Sequence, residues 1–293
     1  MKILVFGSLN IDLVFSVDHV AAPGETVGSV SLSKSAGGKG ANQAAALAKA
    51  GMPVHLAGKI GADGEFLLDL LESYGVNTSG VIRYGGATGQ AIIQLDKNRQ
   101  NAIVLYPGGN GAVTRDEAEA VLGGFGGRDM IVLQNEISCL REIMELAWKR
   151  GMRICFNPSP CNEKIEGLPL ELAGIFFVNE IEGATLAGIS AESPPQEVMD
   201  RLTGRFPGAE IILTTGKDGA CYGCGAYRAR AGGLNVPVVD TIGAGDTFTG
   251  YFLAARERKM PVPQALAAAC KASSITVSRP GAMESIPLAN EVF

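Results

Sequence analysis

Lys2-Ile-Leu-Val-Phe-Gly7 opens the chain as an unbroken apolar run closed by glycine. That is the pattern of a parallel strand buried on both faces. In a simple βα unit the helix follows within roughly two to six residues. Here it is delayed: Ile11, Leu13, Phe15 and Val17 alternate with other residues, Pro23-Gly24 marks a turn, and Val27 to Ser35 reads as further strand. A helical pattern begins only at Gly38 and runs through Ala44, Leu47, Ala48 and Ala50 to a stop at Gly51-Met-Pro53. A β-hairpin is therefore inserted between the first core strand and its helix. Gly89 to Leu95, a turn around Lys97-Asn98 and Asn101 to Tyr106 repeat the hairpin pattern. The two hairpins predict a small four-stranded sheet, within about residues 11–36 and 88–107, lying over the main body as a lid. An exposed apolar face on it would favour pairing of two copies of the chain.

Beyond Thr114 strands and helices alternate. A helix is expected from about Arg115, then strand Met130 to Gln134, helix Leu140 to Lys149, strands Arg153 to Asn157 and Gly174 to Asn179, a helix near Pro195 to Thr203, and strand Glu210 to Thr215. This order implies an α/β fold with a mainly parallel sheet covered on both faces. Polar residues close the strands at Asn135-Glu136, Asn157-Pro158, Asn179-Glu180 and Thr214-Thr215-Gly216. Ligands of open α/β sheets sit beyond those carboxyl ends.

Composition narrows the function. The 293 residues carry a formal charge of −5 and contain no lysine or arginine run, which argues against a nucleic-acid partner. The apolar opening is too short for a signal-peptide core, and no stretch approaches a membrane span. Six cysteines in a chain of this length do not make a disulfide scaffold, so a reducing cytoplasm is the simplest setting. Cys221-Tyr-Gly-Cys224 has zinc-like spacing but no second pair, and it falls in an apparent hairpin. His19 and His55 stand apart and unaccompanied. Glycine, at 39 residues, is about twice as frequent as the usual ~7%. It shows no three-residue period and must serve turns and close approaches.

The sharpest motif is Asp240-Thr-Ile-Gly-Ala-Gly-Asp246-Thr-Phe-Thr-Gly250. Gly243, Ala244 and Gly245 stand directly before a helix, where backbone N–H groups and the helix dipole create a site for an anion such as a transferring phosphoryl group. Asp246, in the first turn beside it, can accept the proton of an attacking hydroxyl. An acidic residue there also stabilises a helix without doing chemistry, and the motif alone fits both roles. Ala36-Gly-Gly38-Lys-Gly40-Ala-Asn42 is a second glycine-rich helix entry. It lacks the GxxxxGK[ST] spacing, and the first strand lacks GxGxxG, so both common nucleotide fingerprints are missing. That weighs against a nicotinamide-dependent oxidoreductase.

Gly7-Ser-Leu-Asn-Ile-Asp12, Gly37-Gly-Lys-Gly-Ala-Asn42, Asn179-Glu-Ile-Glu182 and the Asp240 to Gly250 motif occur in the order seen in the ribokinase (PfkB-type) carbohydrate kinase family. Pro23-Gly-Glu-Thr26 and Asn157-Pro-Ser-Pro160 add to the resemblance, which extends over nearly the whole chain. It implies a ribokinase-like three-layer α/β/α sandwich with a β-sheet lid, a single kinase domain over residues 1–293, and ATP-dependent phosphorylation of the 5-hydroxyl of ribose. A related furanose or a nucleoside, such as deoxyribose or adenosine, is the alternative substrate. Asn10, Asp12, Gly38, Asn42 and Glu136 match the sugar-binding positions, and Lys39, inside the same loop, is expected to add charge to the substrate site. Asp246 matches the base, and Gly243, Ala244 and Gly245 match the anion hole. Asn179, Thr214, Gly216, Gly219, Gly245 and Cys270 match the ATP site, and Glu182 a position linked through water to Mg²⁺. Asp240, Ile242, Thr276, Arg279, Gly281 and Ser285 match a monovalent-cation site that takes K⁺. A homodimer formed through the lid is expected from an exposed apolar face on it. Two departures stand out. Cys270 falls where the family often places a polar or imidazole side chain near adenine, and Tyr106-Pro-Gly-Gly109 differs from the usual small-residue stretch.

Overall fold

The computed structural model describes residues 1–98 and 100–293. Its strands in chain order are β1 (Ile3–Phe6), β2 (Asn10–Val17), β3 (Ser29–Gly37), β4 (Val54–Ile60), β5 (Asn77–Arg83), β6 (Gly89–Asp96), β7 (Asn101–Tyr106), β8 (Met130–Gln134), β9 (Arg153–Asn157), β10 (Ile175–Asn179), β11 (Glu210–Thr214), β12 (Ala220–Cys224) and β13 (Tyr227–Ala231). The helices are α1 (Lys39–Lys49), α2 (Glu65–Ser73), α3 (Arg115–Leu122), α4 (Leu140–Lys149), α5 (Glu180–Ala187), α6 (Pro195–Arg205), α7 (Ala244–Glu257), α8 (Val262–Val277) and a last short turn, α9 (Ala289–Val292).

Among the described residues the main sheet has nine strands, ordered β13-β12-β11-β10-β9-β8-β1-β4-β5. Every pair from β5 across to β11 is parallel, and only the β12–β13 hairpin at one edge runs antiparallel. Cys221 and Cys224 lie in that hairpin, and all six cysteines are free thiols. Residues 54–83, which patterning leaves unassigned, supply the two strands beyond β1 and the helix between them.

β1 shows how four residues organise two layers. Ile3 and Val5 point into a core shared with α1, α2, α7 and α8, while Leu4 and Phe6 point into the opposite core with α3 to α6. Period-two alternation of wholly apolar residues is what a doubly covered parallel strand requires. The three-layer α/β/α sandwich expected from the sequence is observed.

The two inserted hairpins form the second sheet, ordered β3-β2-β6-β7. They join through the parallel pair β2–β6, with Asn10 opposite Gly89 and Val14 opposite Ile93. Asp12, Val14, Ser33, Ile93 and Ile103 share the face that lines the interior clefts. Leu13, Phe15, Leu32, Ile92 and Val104 share the other, on which Leu32 is 56% and Val104 63% exposed. No helix among the described residues is long and apolar enough to cross a membrane.

One contact sets the geometry on the α1 side. A Cβ on Gly250 of α7 would lie 2.5 Å from the Ala46 Cβ and 2.9 Å from the α1 backbone. The two helices therefore meet nearly backbone to backbone, which the small residues Ala44-Ala-Ala46 permit. Gly250→Val should force them apart and lower the unfolding free energy by about 1–3 kcal/mol, the usual cost of overpacking. Urea denaturation measures it, and an unchanged midpoint would contradict the close approach.

Candidate active site

The parallel strands bring their carboxyl ends to one edge. Gln134 stands opposite Asn157, and Asn179 opposite Thr214. Above them, under the lid, lies a cavity of about 460 Å³. Its walls come from separate parts of the chain: Asn10 and Asp12 from β2, Gly38, Lys39 and Asn42 from the start of α1, and Glu136 beyond β8. Asn179 and Glu182 from the β10–α5 junction, Thr214, and Gly243, Gly245 and Asp246 at the start of α7 complete it. The lid closes it with Ala91, Ile93, Ile103 and Leu105.

The α7 entry behaves as the motif suggests. Gly243 caps the helix at φ 74°, a left-handed conformation that favours glycine. The first-turn N–H groups of Gly245 and Asp246 meet no acceptor among the described residues, whereas Ala244 N donates to Thr241 O at 3.3 Å. Asp246 is buried, and its two oxygens are held separately. Asn42 Nδ2 donates to Oδ2 at 3.0 Å and Gln43 Nε2 donates to Oδ1 at 2.9 Å. The Asn42 amide oxygen is then left buried without a partner among the described residues, while the residue itself lines the cavity.

A second cluster faces this one. Ser8 Oγ donates to Glu136 Oε2, the Lys39 backbone N–H donates to the same oxygen at 3.3 Å, and Gly40 N donates to Ser8 Oγ at 3.3 Å. Asn110 accepts from Leu9 N at 3.0 Å and donates to Asn10 Oδ1 at 2.7 Å, locking the start of β2. Burial, reinforced by the neighbouring Glu136 carboxylate and opposed by Lys39, pushes the Asp12 carboxyl up to about 6. Burial pulls the Lys39 ammonium down, but the carboxylates of Asp246, Glu136, Glu182 and Asp12 more than offset it and its pKa is raised. Lys39 therefore stays charged between the two clusters.

Asn179 and Glu182 form a reciprocal cap on α5: Asn179 Oδ1 accepts from Glu182 N at 2.8 Å, and Glu182 Oε2 accepts from Asn179 N at 3.1 Å. The second Glu182 oxygen carries no hydrogen bond among the described residues. Gly216 and Gly219 bracket the 3₁₀ turn after β11 and do not line the cavity. Cys270 is buried in α8, and burial pushes its thiol up to about 11.

Asp240, Ile242 and Gly281 line an adjoining cleft of about 630 Å³ between the lid and the last loops. The carbonyl oxygens of Asp240, Ile242, Arg279 and Gly281 accept from no backbone N–H among the described residues. Thr276 pairs with the Thr247 hydroxyl at 3.1 Å, Ser285 donates to Ala282 O at 2.6 Å, and Arg279 is neutralised by Glu291 at 2.5 Å. His19 pairs with Glu25 at 2.7 Å and His55 packs edge-on against Phe125, so neither joins the cavity.

Sequence reasoning did not single out Ser8, Gln43 or Asn110. Ser8 and Gln43 sit beside recognised motif residues, but nothing in the chain order links them to Glu136 and Asp246. Asn110 lies about 100 residues from the strand that it locks.

A cavity walled by hydroxyl-recognising amides and carboxylates, opposite free helix N–H groups and a buried carboxylate, is suited to phosphoryl transfer onto a polyol. Comparison with known proteins agrees. The model of the pfkB family carbohydrate kinases matches residues 1–289. The chain is 33% identical over 301 residues to the ribokinase of Staphylococcus aureus (strain COL), covering 99% of this chain and 98% of that one. It is 34% identical over 294 residues to the bifunctional ribokinase/ribose-5-phosphate isomerase A of Fructilactobacillus sanfranciscensis; the match takes in 98% of this chain and 54% of that longer protein. The structure of Arabidopsis thaliana ribokinase complexed with ribose and ATP superposes with a TM-score of 0.86 at 26% identity, covering 99% of this chain and 97% of that chain. The chain belongs to the pfkB family of carbohydrate kinases and is an ATP-dependent sugar kinase.

Asp12 gives the site a pH signature. Its folded pKa lies above its unfolded value of 3.8, so the folded state holds the proton more tightly and this group's contribution to stability falls as pH rises from about 4 to about 6. Asp12→Asn should leave stability unchanged near pH 4 and raise it by up to about 3 kcal/mol at pH 7. Melting curves across that range test the sign, and a stability gain that does not grow with pH would refute the shift.

Proposed function

We propose that the protein transfers the γ-phosphoryl group of ATP to the 5-hydroxyl of D-ribose, giving ribose 5-phosphate and ADP. The observation that carries this reading is Asp246, held by two amide donors at the mouth of a helix whose Gly245 and Asp246 N–H groups meet no acceptor among the described residues. The hydroxyl oxygen attacks the γ-phosphorus, its proton passes to Asp246, and the bond to the ADP oxygen breaks. Gly243, Ala244 and Gly245 form the anion hole for the transferring group. In this reading Asn10, Asp12, Gly38, Lys39, Asn42 and Glu136 hold the sugar. A site of buried acceptors that need hydroxyls to pair them rejects analogues that lack one. The named relatives and the ribose and ATP of the plant neighbour support the substrate assignment.

On the nucleotide side we assign Asn179, Thr214, Gly216, Gly219, Gly245 and Cys270. Glu182, with one oxygen uncommitted, fits a Mg²⁺ that keeps its own waters and neutralises phosphate charge. The carbonyls of Asp240, Ile242, Arg279 and Gly281, which accept from no backbone N–H among the described residues, fit with nearby Thr276 and Ser285 the hard-oxygen donor set of a K⁺ site. The unit is read as one kinase domain over residues 1–293, with the lid strands within 11–36 and 88–107, working in the reducing cytoplasm.

Asp246→Asn should remove nearly all turnover while calorimetric ribose binding changes by less than about threefold, since the amide keeps the side-chain shape. Near-normal turnover would refute the base. Initial rates on ribose, deoxyribose, fructose and adenosine, with and without K⁺, test the substrate. Preference for adenosine over ribose would favour the nucleoside alternative.

The exposed apolar outer face of the lid supports a homodimer. Val104→Asp, on the outermost strand, should convert a dimer to a monomer in light scattering, and a wild-type chain that is monomeric at all concentrations would rule the dimer out.

A further inference from the structure

We propose that Gln134 and Gln43 form a directional relay that orients the Asp246 carboxylate, with Gln134 acting through Gln43 as a positioning residue. The inference rests on Asp246 being the base. Gln134 is the last residue of β8, Gln43 lies on α1 and Asp246 on α7, so the relay ties the central sheet to the reacting group across two helices. Gln134 Nε2 donates to Gln43 Oε1 at 2.7 Å, and Gln43 Nε2 donates to Asp246 Oδ1 at 2.9 Å. Both glutamines have no solvent exposure.

The direction is dictated by charge. An ionised carboxylate only accepts, so Gln43 must turn its nitrogen to Asp246 and its oxygen to Gln134. Gln134 must then offer its own nitrogen, which strands its oxygen: Gln134 Oε1 is buried with no partner among the described residues. An apolar side chain at position 134 would avoid that orphaned acceptor. A pairing that leaves one is poor design for stability and good design for holding an amide in one of its two flips.

The two ties on Asp246 are also unequal. Asn42 lines the cavity, whereas Gln43 does not. Gln43 is therefore the tie that stays the same whether or not substrate is bound, and Gln134 is what keeps it pointing the right way.

The test is steady-state kinetics with melting curves on wild type, Gln43→Met, Gln134→Met, Gln43→Met/Gln134→Met, and Gln134→Asn, which keeps the amide but falls one methylene short. Asp246→Asn is run alongside. Each glutamine variant should lower kcat by about tenfold or more, the scale of a hydrogen bond to a charged group. KM for sugar and ATP should stay within about twofold. The double variant should be no slower than Gln43→Met alone, because Gln134 acts only through Gln43. A folded Gln134 variant with kcat within about twofold of wild type overturns the relay, as do single losses that multiply in the double variant. If those results come with an inactive Asp246→Asn, the relay alone falls. If Asp246→Asn is itself active, the base assignment falls and takes the relay with it.

Discussion

The approach of α7 to α1 is the constraint on which the site depends. Gly250 and the alanines of α1 let the helices touch closely enough for Asn42 and Gln43 to reach both oxygens of Asp246. A wider crossing would leave a buried carboxylate without donors, which is expensive in a low-dielectric interior. The same crossing fixes where the free Gly245 and Asp246 N–H groups sit relative to the glycine-rich entry to α1, because both begin at the same end of these two helices. Packing, charge burial and the placement of the reacting groups are thus one problem with one solution.

Around that contact the protein holds an unusual density of like charge. Asp12, Glu136, Glu182 and Asp246 all act on Lys39, and the balance is uneven. Lys39 gains from its neighbours what it loses to burial, whereas Asp12 is penalised by both burial and Glu136. Stability is given up at Asp12, which lines the cavity, the trade expected of a group held in place against its burial cost. The lid faces this charge with the apolar residues Ala91, Ile93, Ile103 and Leu105, of which Ile103 and Leu105 remain more than half exposed.

Much of the fold was legible because its signals are local. Ile3 to Phe6 and Met130 to Gln134 are short apolar runs with polar ends, and the late helix start at Gly38 exposed the inserted hairpin without any structure. Residues 54–83 escaped notice because His55, Lys59, Asn77, Thr78 and Ser79 interrupt the apolar runs that mark the other core strands, although β4 and β5 pair with each other across α2. At the site, the entries to α1 and α7 were readable from their glycines, and Asn179 and Glu182 from the motif shared with the carbohydrate kinase family. Asn110 and the Gln134–Gln43 pair were not, because a hydrogen bond between residues about 100 apart leaves no periodic trace.

The amino-acid sequence by itself determined the layers, the two hairpins and the carboxylate beside the helix entry, which follow from short-range pattern and turn chemistry, while the family was legible only as a resemblance of motifs in order. Only the tertiary structure decided how the hairpins join, through the parallel β2–β6 pair, and which face of the lid meets the cavity. It also decided that Gly216 and Gly219 of the expected nucleotide loop do not line this cavity, and which amides hold Asp246. Those outcomes depend on helix crossing distances and on the direction of buried hydrogen bonds, quantities that arise only when elements far apart in the chain are packed together.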